Sequence, residues 1–415
     1  MSVIKPFHGF RPTKELADKV AALPYDVMTS DEAREIAKDN PYSFLHVDKA
    51  EIDLDPGVNI YSDAVYEKAA ENLDKMISDK TYIQDEKDVF YIYSLVMDGR
   101  RQTGLVACAS VDEYLNGTIK KHELTRADKE ADRIRHVDVC DANTGPIFLT
   151  YRTKPEISNL IESFTFANAP IYDFTAEDGV SHTVWLIDDD TVIKTVKELF
   201  LTVPALYIAD GHHRNASAVK VALKRREEAQ YEDKAAEYNF YLAVLFPADE
   251  LKILDYNRVV RDLGAYSKDE FFEKLGEAFD ISPAPSSPYA PTAPHNFGMY
   301  IDKEWFSLTL KPSLADDSDP VLSLDVSILQ DNVLVPLLGI GDIRTDSRID
   351  FVGGIRGLSE LEKRVDSGEM RLAFSMYPTS LDQMMNIADN GLIMPPKSTW
   401  FEPKLRSGLF IHKLS

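Results

Sequence analysis

Five apolar residues at 205–209 run directly into Asp210-Gly211, and over 215–224 the apolar positions Ala216, Val219, Ala222 and Leu223 recur at helical spacing. Buried strand, tight turn, helix: this order constrains the chain most, because a strand apolar at every position needs cover on both faces. It predicts an α/β or α+β architecture with mixed strand order.

The same alternation recurs along the chain. Residues 90–97 and 104–111 flank Asp98-Gly99, a pattern that predicts a β-hairpin with a primed turn. Thr29-Ser30 reads as the N-cap of a helix over 31–37. Residues 62–77 place Ala64, Val65, Ala69, Leu73 and Met76 near the 3.6 period, which predicts a surface helix. The densely charged stretch 119–136 reads as a strand end or loop followed by a helix. A strand over 183–187 ends in Asp188-Asp189-Asp190 and precedes a helix over 191–200. Residues 238–246 read as a second buried strand, after a charged helix ending near Glu237.

At 415 residues the chain exceeds one simple core. The Pro-, Ser- and Ala-rich stretch 282–296 is the best loop or linker candidate, and the expected division falls just before it. That gives an N-terminal α/β lobe, 1–265, carrying the turn, and a C-terminal α+β lobe, 266–415, closing the site. The second lobe contains a strand pair at 298–301 and 305–310, then helices around 327–334 and 380–390.

Forty-six Lys and Arg against 69 Asp and Glu give a formal charge of −23. Such a surface repels polyphosphate backbones, so nucleic acid is not an expected partner. No apolar run approaches the roughly 18–20 residues a membrane span needs, so no membrane association is expected. The first ten residues hold one lysine and no apolar stretch of the secretory kind, and a reducing cytoplasm is the expected compartment. The two cysteines, Cys108 and Cys140, read as small core residues. Oligomeric state is not readable; a homodimer is compatible.

Chemistry concentrates at Asp210-Gly211-His212-His213-Arg214. Glycine at a strand-to-helix turn lets backbone approach a ligand, and the helix start offers free N–H groups with partial positive charge. Arg214 adds a planar fork for phosphate oxygens and is expected to be exposed, so that its replacement shifts stability little. His212 and His213 can donate hydrogen bonds or exchange protons, and Asp210 can accept a proton, orient a histidine or bind Mg²⁺.

A second cluster holds His122 and Glu123, then Lys129 and Arg133 on one helical face, a cationic rim with Glu123 as base or metal ligand. A solvated charged helix is the plain alternative. The third is Pro395-Pro396-Lys397-Ser398-Thr399, where two prolines either aim Lys397, Ser398 and Thr399 into a cleft or make a rigid turn. It is not a Walker A loop, because no glycines precede it at the required spacing. Pro24-Tyr25-Asp26-Val27 is a weaker candidate. No nucleophile elbow of the GxSxG type occurs.

Pro6-Phe7 with Arg11-Pro12, Pro24-Tyr25-Asp26-Val27, His122-Glu123-x-Thr125, Lys129-x-x-Asp132-Arg133, Asn143-x-x-Pro146-Ile147-Phe148, Ala209 to Arg214 and Met394 to Thr399 together resemble domain-of-unknown-function family 1015. The family's aromatic pattern before the final Pro-Lys-Leu is altered here to Trp400-Phe401-Glu402. The family supplies no established activity. The turn alone is similar to the phosphate-binding turn of the ParB and sulfiredoxin superfamily, which includes DNA partition proteins and kinases acting on free serine. That likeness implies that Gly211 to Arg214 hold a nucleotide or substrate phosphate. The catalytic glutamate of those kinases has no matching motif here, and Glu123 is placed in that role as conjecture.

Two functions are carried forward. One is phosphoryl transfer to or from a small hydroxyl metabolite, serine or O-phosphoserine first, with ATP or ADP and Mg²⁺ as candidate cofactors. Here Asp210, His212, His213 and Glu123 do the chemistry, and Gly211, Arg214, His122, Lys129, Arg133, Lys397, Ser398 and Thr399 hold phosphate. The other is a non-catalytic sensor of a nucleotide or phosphorylated metabolite.

Overall fold

A computed structural model describes residues 1–229, 231, 233–316 and 318–415. The chain divides into two compact units, Met1–Leu251 with Pro403–Ser415, and Lys252–Glu402. The contact boundary stands upstream of the division expected near 265, and the last segment belongs to the first unit.

The first unit is built on a nine-stranded mixed sheet. Its strands are β1 (Ile4–Lys5), β2 (Phe90–Met97), β3 (Arg100–Ser110), β4 (Ile119–Lys120), β5 (Ile147–Tyr151), β6 (Tyr172–Thr175), β7 (Ser181–Ile187), β8 (Leu206–Asp210) and β9 (Phe240–Pro247). The order is β4-β8-β5-β9-β3-β2-β7-β6, with β1 on β3. The pairs β8–β4 and β9–β5 are parallel, and the others are antiparallel. The hairpin forms as its turn residues require: Asp98 and Gly99 take φ of 52° and 77°, the left-handed pair of a primed turn. The second strand begins at Arg100, earlier than expected, because pairing continues from Met97 opposite Arg100.

Strands β5 and β9 lie near the middle and bury nearly every residue, which accounts for the unbroken apolar run of β9 and for a β5 whose one polar residue is Thr150. Ile92, Leu105, Ala107, Leu149, Ile208 and Leu245 form one core with Ala218, Val219 and Ala222 of a helix. Three helices frame the site: α1 (Asp63–Ser78), α2 (Ala127–Cys140) and α3 (His212–Glu228). Helix α2 packs against both α1 and α3. The helix over Ser30–Ala37 is closed by Thr29 and Glu32 in a reciprocal capping box.

One expectation fails in this region. Helix α3 starts at His212 and ends at Glu228, and no helix runs to Glu237 among the described residues. Asp233 turns the chain instead: its carboxylate accepts from the Ala235 N–H at 2.9 Å and its carbonyl from Asn239 Nδ2 at 2.7 Å.

The segment Pro403–Ser415 threads back through the first unit. Ala22 bridges Ser407, Phe10 bridges Ile411, and His412–Lys413 pair with Ala142–Asn143. Tyr82 Oη donates to the Gly408 carbonyl at 2.7 Å.

The second unit carries a six-stranded antiparallel sheet of β10 (Tyr256–Val260), β11 (Phe279–Pro283), β12 (Asn296–Ile301), β13 (Glu304–Leu310), β14 (Ile349–Gly353) and β15 (Leu372–Ser375), in the order β11-β13-β12-β15-β10-β14. The Pro-rich stretch lies inside this unit as the β11–β12 connection, so it does not link the two units. Among the described residues, no helix is long and apolar enough to cross a membrane.

Glu113, in the short helix Val111–Leu115 after β3, is buried. It accepts from the Val3 N–H at 2.8 Å, while its Oε2 has no hydrogen-bond partner among the described residues. Burial pushes its carboxyl up to about 7. A raised folded value stabilises below the unfolded range near 4.3, and that contribution is lost as pH rises through about 7. Glu113→Gln is therefore expected to change the melting temperature little at pH 4. At pH 8 it should stabilise by on the order of 1–3 kcal/mol. Thermal denaturation at the two pH values checks this, and equal melting at pH 8 would count against it.

Candidate functional site

Strand β8 delivers the turn. Its register against β5 shifts between Ile208 and Asp210, an irregularity that re-aims the last residue of the strand. Gly211 then takes φ 88° and ψ 31° as the N-cap of α3. No capping side chain bonds at that end, so the first-turn N–H groups of the 17-residue helix keep their donor capacity.

The Arg214 guanidinium folds back over this turn. Nη1 donates to the Pro146 carbonyl at 2.7 Å. A Cβ on Gly211 would stand 3.1–3.3 Å from the guanidinium, and one on Gly145 would stand 3.4 Å from Nη1. Two glycines therefore leave the space it fills. The side chain is only 12% exposed, which corrects the expectation of an exposed residue. Its Nε is buried and has no acceptor among the described residues. An unmet buried donor of this kind costs about 1–3 kcal/mol, more when charged.

Asp210 faces two cations, Lys404 Nζ at 3.4 Å and Arg214 Nη2 at 3.9 Å. Burial raises its carboxyl, but Lys404 and Arg214 outweigh that and hold it below the usual range. Lys404 comes from the returning segment, and nothing in the spacing of the sequence ties it to Asp210.

One cavity adjoins the turn and a second lies next to it. The smaller, about 30 Å³, is lined by Arg214, Arg133, Tyr25, Asp48, His136 and Thr144, among others. The larger, about 190 Å³, shares Tyr25, Asp48, Arg133 and His136 and extends to Asp26, Lys49, Tyr61, Tyr66 and Lys129. Lys129 and Arg133, the cationic rim expected on α2, both line the larger cavity, and Arg133 alone of the two also lines the smaller one with Arg214. Arg133 is not a solvated residue: it is buried, its Nε bonds Asp132 at 2.8 Å and its guanidinium lies 4.0 Å from the Tyr25 ring centroid. Lys129 is half-buried and reaches Tyr61 Oη at 3.5 Å. Tyr25, the weaker candidate from sequence, is central here, while Asp48, Thr144 and His136 carry no motif signal that would have singled them out.

A separate cluster forms where β4 ends. His122 and His212 are both buried, with ring centroids 4.5 Å apart at 85°. Glu123 Oε2 lies 3.9 Å from His212 Nδ1. Burial pushes His122 down to about 4 and His212 well below its usual value, so both rings are neutral near pH 7. His213 is half-buried, also lowered by burial, and Ser217 Oγ donates to its carbonyl at 2.7 Å.

Lys397, Ser398 and Thr399 belong to the second unit. There the Lys397 carbonyl accepts from Arg258 Nη2 at 3.0 Å, the Ser398 carbonyl from Thr379 Oγ1 at 3.0 Å, and Ser398 Oγ donates to Pro395 at 2.6 Å.

The fold and turn define a mixed α/β protein that presents an arginine fork at a glycine-started helix. The family described as "Protein of unknown function (DUF1015)" matches residues 4–327, and the chain belongs to it. The segment Met394 to Thr399 lies beyond the matched residues. No curated protein matches the chain. Among solved structures, a free serine kinase in complex with AMP is similar at 13% identity and a TM-score of 0.38, covering 73% of this chain and 92% of that one. A conserved hypothetical protein from Pyrococcus furiosus gives 13%, 0.37, 73% and 93% in the same terms. C-terminally truncated SbnI from Staphylococcus aureus gives 11%, 0.37, 73% and 85%. Likeness this distant carries no residue-level chemistry.

Gly211→Ala places a methyl group against the Arg214 guanidinium and forces an L-residue into the left-handed region. The expected loss is about 1–2 kcal/mol from the backbone alone. Equilibrium urea denaturation measures it, and an unchanged midpoint would mean the turn relaxes freely.

Proposed function

We propose that this chain moves a phosphoryl group to or from a small hydroxyl metabolite, with serine or O-phosphoserine as the first substrate to test. The observation that carries the reading is the buried Arg214 Nε–H without an acceptor among the described residues, set at a glycine turn that opens a long helix. A buried cationic donor beside free helix N–H groups is suited to an anion with several oxygens. Arg133 lines the same recess, and Lys129 the cavity next to it. At about 190 Å³ that cavity suits a serine-sized phosphate ester better than a whole nucleotide.

In this reading Arg214, Arg133 and Lys129 offset phosphate charge, where such catalysis gains most. Asp210 positions Lys404 and Arg214, and the neutral His213 is the acid–base group. A kinase direction adds ATP or ADP with Mg²⁺; a phosphatase direction adds a placed water. Lys397, Ser398 and Thr399 have no part in this minimal site. The overall charge of −23 argues against a nucleic-acid ligand.

Phosphorus NMR of the purified chain with O-phosphoserine and Mg²⁺, with and without ADP, tests the reading. Free phosphate without nucleotide means a phosphatase, and ATP formed only with ADP means a reversible kinase. Binding without turnover in either tube would move the site to the sensor reading, and no binding would sink the serine assignment. Lys129→Ala is the cleaner variant, because Arg214→Ala also removes the bond to Pro146. Lys129→Ala should shift stability by no more than about 0.5 kcal/mol and weaken ligand affinity by about tenfold. Unchanged affinity would return Lys129 to a solvated helix face.

A further inference from the structure

We propose that His122, Glu123 and His212 form a binding site for a divalent transition-metal ion. One ligand-capable atom from each residue lies within 4.8 Å of the other two. Two imidazoles and a carboxylate suit zinc, cobalt, manganese or iron(II), whereas Mg²⁺ prefers an all-oxygen octahedron. The inference stands on these residues and does not depend on the phosphoryl-transfer reading.

The rings supply the independent observation. His122 is 2% exposed and His212 is 8% exposed. Among the described residues neither nitrogen of His122 has a partner in hydrogen-bond geometry, and the same is true of His212 Nε2. The Ile208 backbone is near enough to favour a proton on His122 yet makes no well-formed bond. Two buried polar rings edge to face, with lone pairs unmatched, are otherwise a poor use of a protein interior.

Glu123 completes the set from the half-exposed side. Its side chain is 40% exposed, so the cluster has a carboxylate at its mouth and a route for an ion to enter. Three protein ligands with an open side is the arrangement of sites that keep a coordination position for water or substrate. Donor atoms around a four-coordinate ion stand about 3.4 Å apart at bond lengths near 2.1 Å, so the three atoms must close by roughly 1 Å. The start of α3 carries partial positive charge that opposes a cation, and the charges of Glu123 and Asp210 oppose it in turn. In this arrangement Glu123 is a ligand, and the acid–base role falls to His213.

Titration of the chelator-treated full chain with Co²⁺ and Zn²⁺ tests the site. Calorimetry and the visible absorption of bound Co²⁺ are expected to show one ion per chain. His122→Ala and His212→Ala should each weaken binding by more than about 100-fold, and Glu123→Gln by about tenfold. His8→Ala, at an exposed histidine outside the cluster, should bind as the parent does. Far-UV circular dichroism confirms that each variant folds. Should an alanine variant unfold, X-ray absorption of the zinc-loaded parent decides: two imidazole nitrogens around the ion support the site, and fewer overturn it. No saturable binding by the parent, unchanged affinity in both histidine variants, or loss of binding in His8→Ala would each overturn the proposal.

Discussion

The geometry of the site depends on one packing arrangement, a guanidinium held between two glycines. Arg214 spans from the start of α3 to the carbonyl of Pro146, just before β5, and its guanidinium lies against Gly211 and Gly145, with the tighter approach at Gly211. That fixes where the helix begins relative to the sheet. The cavity beside Arg214, the ion pairing of Asp210 and the approach of His212 to His122 all follow from the same turn.

The chain carries a large negative charge, and several of its buried or mostly buried cations are each held by a carboxylate. Arg133 pairs with Asp132, Lys404 with Asp210, and Arg406 with Asp178 beside His182. Each is mostly buried, and each brings a carboxylate with it, as desolvated charges must. The surplus of acid belongs to the surface, where it leaves these local pairs intact.

Much of this was legible in the residues. The apolar run before Asp210, the Asp98-Gly99 turn and the Thr29 cap each have a local physical cause that reads directly from sequence. The turn at Gly211 was legible for the same reason, since only glycine adopts that backbone without strain. What stayed hidden depends on distant contacts. Lys404 meets Asp210 across 194 positions of sequence. The pairing of His122 with His212 needs β4 and β8 side by side, a choice that local pattern does not encode. The helix expected to reach Glu237 failed because charge was read as helix where Asp233 makes a turn.

The return of Pro403–Ser415 to the first unit makes the second unit an insertion in the sequence of the first. During synthesis the ribosome finishes all of Lys252–Glu402 before it makes the strand that pairs with Ala142–Asn143 or the lysine that meets Asp210. The first unit must therefore wait, partly assembled, with the grooves for Leu405, Phe410 and Ile411 open to solvent, while a whole second core is made. A nascent chain stalled inside the insertion would display an unfinished sheet protein and lack one of the two cations facing Asp210.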